Sequence, residues 1–209
     1  MQDFITQTLQ RHAPVSDQVS RADIALILRE LDAVLRQAVP GGIVELGCYV
    51  GTTSLFIRRL LDHHHQSDKR EFHAYDSFAG LPDKVAQDQS AAGVDFRLGE
   101  LTVSKKDFLQ QFRSSNLRPP IIHKGWFNEL TPADVPDQIA FAFLDGDFYE
   151  SILDSLRLVW PRMTAGSTLL IDDYQREALP GVERAVRDFF RGKPMPPLRQ
   201  MQNIAIVHL

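Results

Sequence analysis

Residues 44–61, VELGCYVGTTSLFIRRLL, have the pattern of a strand, a tight turn and a helix. The first residues form a short β-rich run, and residues 52–61 carry apolar side chains at helical spacing. Gly47 and Gly51 let the backbone turn sharply and approach a ligand, while the amides that open the helix offer hydrogen-bond donors. The stretch therefore predicts a strand-to-helix turn with a candidate binding site on it.

Strand and helix patterns alternate along the rest of the chain. Residues 22–39 have apolar positions at three- and four-residue steps, which predict a packing helix before the turn. Apolar runs without polar alternation predict strands covered on both faces, at residues 43–46, 72–75, 121–123, 139–144 and 167–171. Further helices are predicted from the cap Ser104 to about residue 115, at residues 149–160 and at residues 182–190, and a closing hairpin at residues 198–201 and 203–209. This order predicts a doubly wound α/β fold with a mostly parallel sheet.

The composition favours a single globular domain over residues 1–209. The chain has 209 residues, of which 44% are hydrophobic, enough to bury a substantial core. Residues 1–40 are predicted to form an N-terminal helical segment, and the apolar positions within residues 3–31 could pack on a second subunit in a homodimer. Residues 77–102 are too long for an ordinary connection between a strand and a helix, so they are predicted to form a mobile loop or lid.

Charge and cysteine usage exclude several kinds of partner. The formal net charge is −4 and the basic residues are dispersed, so neither nucleic acid nor an anionic membrane surface is an expected partner. No apolar run reaches the length of a spanning helix. Cys48 is the one cysteine and cannot form an internal disulfide, which suits a reducing compartment. We therefore expect a soluble cytoplasmic protein.

The glycine spacing bears on the kind of cofactor. Gly47 and Gly51 form a G-x-x-x-G pattern, whereas a dinucleotide pyrophosphate cradle has G-x-G-x-x-G. This spacing favours a cofactor without a pyrophosphate. A tight turn that binds no ligand remains the alternative on this motif alone.

Three further side chains could belong to the same site. Asp76, at the end of the second predicted strand, could accept hydrogen bonds from both hydroxyls of a ribose, or it could cap a loop. Glu45 requires a hydrogen-bond donor, because a carboxylate inside an apolar strand is costly. Trp126 follows the third predicted strand, where its ring could stack on a purine or pack in the core.

Two carboxylate clusters carry the most specific chemistry. Asp145 and Asp147 follow one predicted strand, and Asp172 and Asp173 follow another. At the carboxyl ends of neighbouring strands these groups would converge, repel one another and be stabilised by a hard divalent cation such as Mg²⁺. Such an ion can take two hydroxyls of a substrate and lower the pKa of one of them. The alternative is that aspartates cap the next helices, which suits Asp147 best.

Several motifs resemble known methyltransferase families. The run at residues 44–61 closely resembles the first cofactor motif of catechol-type O-methyltransferases. Four later runs, in the same order and spacing, are similar to the macrocin O-methyltransferase family, which methylates sugar hydroxyls: HAYDSFAGLP, KGWFNELTP, FAFLDGDFYESILDSL and LLIDDYQREALPGVERAVRDF. The similarity extends over roughly residues 20–190.

This resemblance implies a fold, two cofactors and a set of site residues. The fold is a seven-stranded sheet in the order 3-2-1-4-5-7-6, the methyl donor is S-adenosylmethionine, and Mg²⁺ is held by Asp145, Asp172 and Asp173. The residues implied around the cofactor are Glu45, Gly47, Tyr49, Gly51, Thr53 and Asp76, with Gly125 and Trp126 near adenine.

The same comparison constrains the catalytic base. The lysine base of catechol-type enzymes would fall on Phe148, so another residue must remove the proton. The similarity to sugar-modifying enzymes points to a metal-site aspartate, with Asp145 the first candidate and Asp147 the second. A carboxylate beside Mg²⁺ can contribute both to proton removal and to charge stabilisation.

The sequence thus predicts a Mg²⁺-dependent O-methyltransferase that acts on a small hydroxylated acceptor. A sugar and another vicinal diol both suit a bidentate metal site. Two alternatives stay open at this point. A nicotinamide-dependent oxidoreductase would share the layout and the ribose-binding acid, but it would not explain the aspartates. A non-catalytic S-adenosylmethionine-binding partner of another protein would retain the site without the chemistry.

Overall fold

The computed structural model describes residues 3–93 and 96–209. Its helices are α1 (Phe4–Arg11), α2 (Arg21–Arg36), α3 (Thr52–His63), α4 (Lys105–Ser114), α5 (Tyr149–Val159) and α6 (Gly181–Phe189). Its strands are β1 (Gly42–Leu46), β2 (Phe72–Asp76), β3 (Ile121–Lys124), β4 (Ile139–Leu144), β5 (Met163–Ile171), β6 (Leu198–Met201) and β7 (Ile204–His208). Each helix and strand predicted from the sequence is present.

The strands of the described chain form one sheet in the order β3-β2-β1-β4-β5-β7-β6. The five strands from β3 to β5 run parallel, whereas β7 pairs antiparallel with both β5 and β6. The predicted closing hairpin and the strand order implied by the family resemblance are both confirmed. The fold is the predicted doubly wound α/β arrangement.

Strand register brings the predicted site residues to one edge of the sheet. Leu46 of β1 pairs with Tyr75 of β2 and with Leu144 of β4, and Leu144 pairs with Ile171 of β5. The next residues along these strands lie side by side at their carboxyl ends: Gly47, Asp76, Asp145 and Asp172. Parallel strands therefore gather residues that are far apart in sequence.

Helices cover both faces of the sheet. Successive residues of a strand point to opposite faces, so Ile43 joins the core beneath α2 and α3 while Val44 joins the core beneath α5 and α6. Among the described residues, no helix combines the length and apolar character needed to cross a bilayer.

Side-chain caps explain where two helices begin. The hydroxyl of Ser20 accepts from the backbone amide of Asp23 at 3.1 Å, and the Asp23 carboxylate accepts from the Ser20 amide at 3.3 Å. This reciprocal pair fixes the start of α2. Ser104 accepts from the amide of Asp107 at 3.1 Å at the start of α4, which confirms the predicted cap.

Two strands differ from their predictions. The prediction that each strand is covered on both faces is wrong for β3, where Ile121 is 46% exposed. The physical reason is that β3 is a short strand at the edge of the sheet. Strand β5 begins at Met163, four residues before the apolar run at 167–171, and its first part is only partly buried.

The N-terminal residues pack on their own chain. α1 lies against α2, and its Ile5 is buried. The apolar face of α2 joins the core beside α3, with four residues that have no exposed surface: Ile24, Ile27, Leu28 and Leu31. Most of the apolar positions expected to contact a second subunit are thus buried within the chain. The homodimer stays a prediction.

The predicted lid, residues 77–102, is partly anchored. It contains two short 3₁₀ turns, Ala86–Asp88 and Ala91–Gly93, while residues 94 and 95 lie outside the described residues. The side chain of Asp88 is buried, and the Ser90 hydroxyl donates to the carbonyl of Glu177 at 2.7 Å. The first half of this loop is therefore held against the protein, and lid closure stays a prediction.

Candidate active site

A cavity of about 470 Å³ opens at the carboxyl edge of the sheet. Most of its wall comes from the turns and segments that follow β1, β2, β3, β4 and β5. Nearly all predicted site residues line it: Glu45, Gly47, Tyr49, Thr53, Asp76, Gly125, Trp126, Asp145, Asp147, Asp172 and Asp173. Gly51 is not among the lining residues. The structure therefore brings the glycine turn and both aspartate clusters into one cavity.

Gly47 and Gly51 are glycine for different structural reasons. A Cβ built on Gly47, which has a φ of +91°, would lie 1.8 Å from the carbonyl oxygen of Asp145. Gly51 is the cap residue just before α3 and has a φ of +92°, and a Cβ there would lie 2.9 Å from the ring of Phe108. Gly47 therefore permits the close approach of the ends of β1 and β4, whereas Gly51 shapes the turn from behind the cavity wall.

Asp76 ties the glycine turn to the end of β2. One carboxylate oxygen accepts from the amides of Cys48 at 3.0 Å and Tyr49 at 2.8 Å, and the other accepts from the amide of Phe78 at 2.7 Å. The loop-capping role considered for Asp76 is thus present. A carboxylate has about four acceptor positions, so it can still bind a ligand hydroxyl from the cavity wall. Its role with ribose stays a prediction.

Glu45 has the donor that its position requires. Its side chain is buried, and the hydroxyl of Ser54 in α3 donates to it. The pKa of Glu45 is raised to about 8, chiefly by burial and also by the nearby charge of Asp76, while the hydrogen bond from Ser54 opposes the rise. Glu45 is therefore a largely protonated hydrogen-bonding group near neutral pH.

The segment after β3 forms another part of the wall. Gly125 donates its amide to the carbonyl of Asp76 at 3.0 Å, which binds this segment to the end of β2. The amide of Trp126 donates to the Glu129 carboxylate at 3.0 Å. Trp126 lines the cavity rather than packing in the core. Asn128 and Glu129 line it as well, although the sequence did not predict them as site residues.

The aspartates after β4 and β5 form the acidic part of the cavity. Carboxylate oxygens of Asp145, Asp147 and Asp173 lie within 4.8 Å of one another. Asp172, one of the three predicted ligands, lies outside this close group but lines the same cavity. Asp147 and Asp173 have φ values of +59° and +53°, which are unusual for residues with a side chain. The backbone thus adopts strained conformations where these carboxylates enter the site.

Burial and mutual repulsion favour the protonated forms of these carboxyl groups. Burial raises the pKa of Asp145 well above its usual range, and the charges of Asp172 and Asp147 raise it further. Burial and the charge of Asp173 also raise the pKa of Asp147 well above its usual range. The same two causes raise the pKa of Asp172 to about 8. Burial also raises the pKa of Asp173, although a hydrogen bond from Arg176 at 2.6 Å opposes this effect.

These groups fit a hard divalent cation. The available donors are carboxylate oxygens, which Mg²⁺ and similar ions prefer. A positive ion would offset the repulsion that raises the pKa values and would favour ionised carboxylates. The cavity can therefore combine a metal site with an acceptor for a proton.

One wall of the cavity was not predicted from the sequence. Ser16, Gln18 and Val19, from the connection between α1 and α2, line it, and the Ser16 amide donates to the hydroxyl of Thr52 at 3.2 Å. No local pattern identifies these residues, because their contact with α3 spans a long stretch of chain. Arg176 was also missed, although its position three residues after Asp173 was a usable signal.

Residues 18–208 match the model of a family described as Macrocin-O-methyltransferase (TylF). The 8-demethyl-8-(2,3-dimethoxy-alpha-L-rhamnosyl)-tetracenomycin-C 4'-O-methyltransferase of Streptomyces olivaceus is 34% identical over 169 residues, covering 78% of this chain and 62% of that protein. Demethyldecarbamoylnovobiocin O-methyltransferase of Streptomyces niveus is 32% identical over 150 residues, covering 69% of this chain and 56% of that protein. The chain thus spans less than two thirds of the length of these relatives.

A solved structure has the same arrangement. The structure of the O-methyltransferase NovP is similar with a TM-score of 0.79 at 26% sequence identity. The similarity covers 91% of this chain and 80% of that chain. The two chains therefore share the same fold over most of their length.

Proposed function

Because this chain belongs to the macrocin O-methyltransferase family, we propose that it transfers a methyl group from S-adenosylmethionine to a hydroxyl of a sugar. One observation carries the proposal: the glycine turn and the four aspartates after β4 and β5 open into the same cavity. A methyl donor bound at the turn would lie beside groups that can hold a cation and accept a proton. This proximity is what an O-methyl transfer requires.

The cofactor is assigned to the part of the cavity around β1, β2 and β3. Asp76 would bind a ribose hydroxyl through its remaining acceptor position, and Gly125 and Trp126 would contact adenine. The rest of the cofactor would meet residues of the glycine turn and its neighbours: Glu45, Gly47, Tyr49, Gly51 and Thr53. Gly51 acts here through the shape of the turn, since it does not line the cavity.

The acidic part of the cavity is assigned to the metal and the proton. Asp145, Asp172 and Asp173 would hold Mg²⁺, which when bound would orient the acceptor and lower the pKa of its hydroxyl. Asp145 and Asp147 stay the two candidate bases, and Asp147 is the assignment carried forward because Asp145 would also hold the metal. The carboxylate of Asp147 lies in the same close group as those of Asp145 and Asp173. It would therefore lie near the acceptor hydroxyl whose proton it accepts.

A sugar hydroxyl is the proposed acceptor because the relative from Streptomyces olivaceus is named for methylation of a rhamnosyl-bearing compound. The cavity itself bears on the charge of the acceptor. Among the described lining residues, nine carboxyl groups face one cationic side chain, that of Arg176, which is already bonded to Asp173. With a divalent cation bound, which favours the ionised carboxylates, the negative charges would still outnumber the positive ones, and such a surface disfavours phosphate groups on the acceptor. We therefore expect an uncharged glycoside rather than a nucleoside diphosphate sugar.

The test begins with cofactor binding measured by calorimetry. S-adenosylhomocysteine and NAD⁺ are titrated separately into the protein, each with and without Mg²⁺. Micromolar binding of S-adenosylhomocysteine and none of NAD⁺ is expected. The reverse pattern would overturn the proposal in favour of a nicotinamide-dependent oxidoreductase.

A transfer assay then separates an enzyme from a binding protein. Isotope-labelled S-adenosylmethionine and Mg²⁺ are incubated with a panel of polyhydroxylated glycosides, and methylated products are detected by mass spectrometry. Asp145→Ala is the inactive control, and it should still bind S-adenosylhomocysteine. Binding of donor and metal without transfer to any acceptor would instead support a non-catalytic partner protein.

A further inference from the structure

The first part of the predicted lid contacts the chain near both of the turns that carry the aspartates, one before α5 and one before α6. Residues 84–90, here called the anchor segment, lie against both α5 and α6. The Ser90 hydroxyl donates to the carbonyl of Glu177, between β5 and α6, and the Arg184 guanidinium of α6 donates to the carbonyl of Gln87. These contacts position the anchor segment beside the start of α5.

Asp88 is the buried centre of the anchor segment. Its side chain is only 2% exposed, and one carboxylate oxygen accepts from the amide of Tyr149 at 2.7 Å while the other accepts from the amide of Val85 at 3.1 Å. A Cβ on Gly181, the first residue of α6, would lie 1.8 Å from the oxygen that accepts from Tyr149. Asp88 is therefore fixed tightly between α5 and α6.

The contact with Tyr149 replaces a missing helix cap. Phe148 occupies the cap position of α5, where its side chain can accept no hydrogen bond. The first amides of a helix lack partners within the helix and require an acceptor from elsewhere. Asp88 supplies that acceptor from 61 residues away.

The capped turn also carries Asp147. This residue precedes Phe148, has a φ of +59°, and its carboxylate lies in the close acidic group. A left-handed conformation at such a residue persists only where its surroundings hold it. The Lys84 ammonium of the anchor segment also lies 5.5 Å from the centroid of the Phe148 ring. Two contacts from one segment thus hold the residues that follow Asp147.

We propose that Asp88 is a positioning residue that holds Asp147 in its left-handed conformation, facing the cavity, by capping α5 at Tyr149. The proposal rests on the proposed function, in which Asp147 accepts the proton. Loss of Asp88 should release the turn and displace that carboxylate. Cofactor binding should remain, because the glycine turn makes no hydrogen bond to the anchor segment among those identified in the described chain.

The test compares Asp88→Ala and Asp88→Asn with a matched control, Asp134→Ala. Asp134 also ends a 3₁₀ turn and accepts from the amide three residues earlier, Thr131, at 2.8 Å, but the residues of its turn do not line the cavity. Asp88→Ala should raise the hydrogen-exchange rate of the Tyr149 amide roughly tenfold or more. It should lower kcat roughly tenfold or more and change the affinity for S-adenosylhomocysteine less than twofold. Asp88→Asn retains an acceptor oxygen, so its Tyr149 exchange rate and its kcat should lie much closer to the wild-type values. Asp134→Ala should match the wild-type protein in all three measurements.

Two results would overturn the proposal. One is an Asp88→Ala variant whose Tyr149 amide exchanges at the wild-type rate; the other is faster exchange with an unchanged kcat, which would make Asp88 a helix cap alone. If the wild-type protein transfers no methyl group, the proposed function fails separately, and a crystal structure of Asp88→Asn or Asp88→Ala decides the positioning role. Departure of Asp147 from the left-handed region supports it, and an unchanged φ overturns it.

Discussion

The backbone carbonyl oxygen of Asp145 lies so close to Gly47 that a Cβ at position 47 would overlap with it. This contact packs the end of β1, which carries the candidate cofactor turn, against the end of β4, which carries the first aspartate cluster. A backbone carbonyl held in a parallel sheet cannot move aside as a flexible side chain can. The distance between the two halves of the site therefore depends on one glycine.

Gly47→Ala should destabilise the protein by roughly 3 kcal/mol or more, because it adds an overlap with rigid backbone to the cost of a positive φ. Gly192→Ala is the matched control: it also has a positive φ, but its Cβ would meet nothing within 4 Å. The control should lose only about 1 kcal/mol. Unfolding in urea gives both values, and equal losses would contradict the importance of the contact with Asp145.

Glu45→Gln should make the protein more stable at alkaline pH. The folded-state pKa of about 8 lies above the ordinary value of 4.5, so the folded state retains a proton that the unfolded state releases. Stability due to this group is therefore lost as pH rises from 4.5 to about 8, by at most roughly 5 kcal/mol. The uncharged glutamine removes this loss.

Thermal unfolding of wild type and Glu45→Gln between pH 5 and pH 9 measures this effect. The advantage of the variant should grow with pH and level off above about pH 8. Ser54→Ala is the complementary variant, because it removes the donor to Glu45 and should cost more stability at pH 9 than at pH 5. An advantage of Glu45→Gln that does not depend on pH would contradict the raised pKa.

Two variants distinguish a metal ligand from the base. Asp172→Asn should lower the affinity for Mg²⁺ roughly tenfold or more, because it removes an anionic oxygen ligand. Asp147→Asn should leave that affinity nearly unchanged while turnover is lost. Calorimetry measures the binding, and chelation of the metal should abolish turnover of the wild-type protein. The opposite pattern would assign Asp147 to the metal, in line with its place in the close carboxylate group.

The fluorescence of Trp126 should change when the cofactor binds. Trp126 lines the cavity, whereas Trp160 packs with its ring 4.9 Å from that of Phe190. Titration with S-adenosylhomocysteine should change the emission of the wild-type protein and of Trp160→Phe, but not that of Trp126→Phe. A signal retained in Trp126→Phe would place the adenine site elsewhere.

A pair of acceptors with the same sugar tests the expected charge preference. A neutral aryl glycoside should have a kcat/KM at least roughly tenfold above that of the nucleoside diphosphate sugar, because carboxylates ionised in the metal-bound site would repel phosphate. Added salt should narrow the difference through screening. A preference for the nucleotide sugar that persists at low salt would contradict this expectation.

Local patterns were sufficient to predict much of this molecule. The runs at residues 43–46 and 139–144 indicated strands because apolar residues without alternation suit a sheet covered on both faces. Ser104 indicated the start of α4 because a hydroxyl can cap free amides. The prediction failed at β3, since the same apolar pattern does not reveal which strand lies at the edge of the sheet.

The sequence by itself was enough to specify the order of helices and strands and to indicate which residues follow each strand, because both depend on neighbours along the chain. The distances among those residues depend on strand register and on contacts between distant segments. Only the tertiary structure shows that Asp147 joins Asp145 and Asp173 in the close carboxylate group, whereas Asp172 does not. Only folding makes Asp88 the cap of α5 and raises the pKa of Glu45, since hydrogen bonding and burial act through space rather than along the sequence.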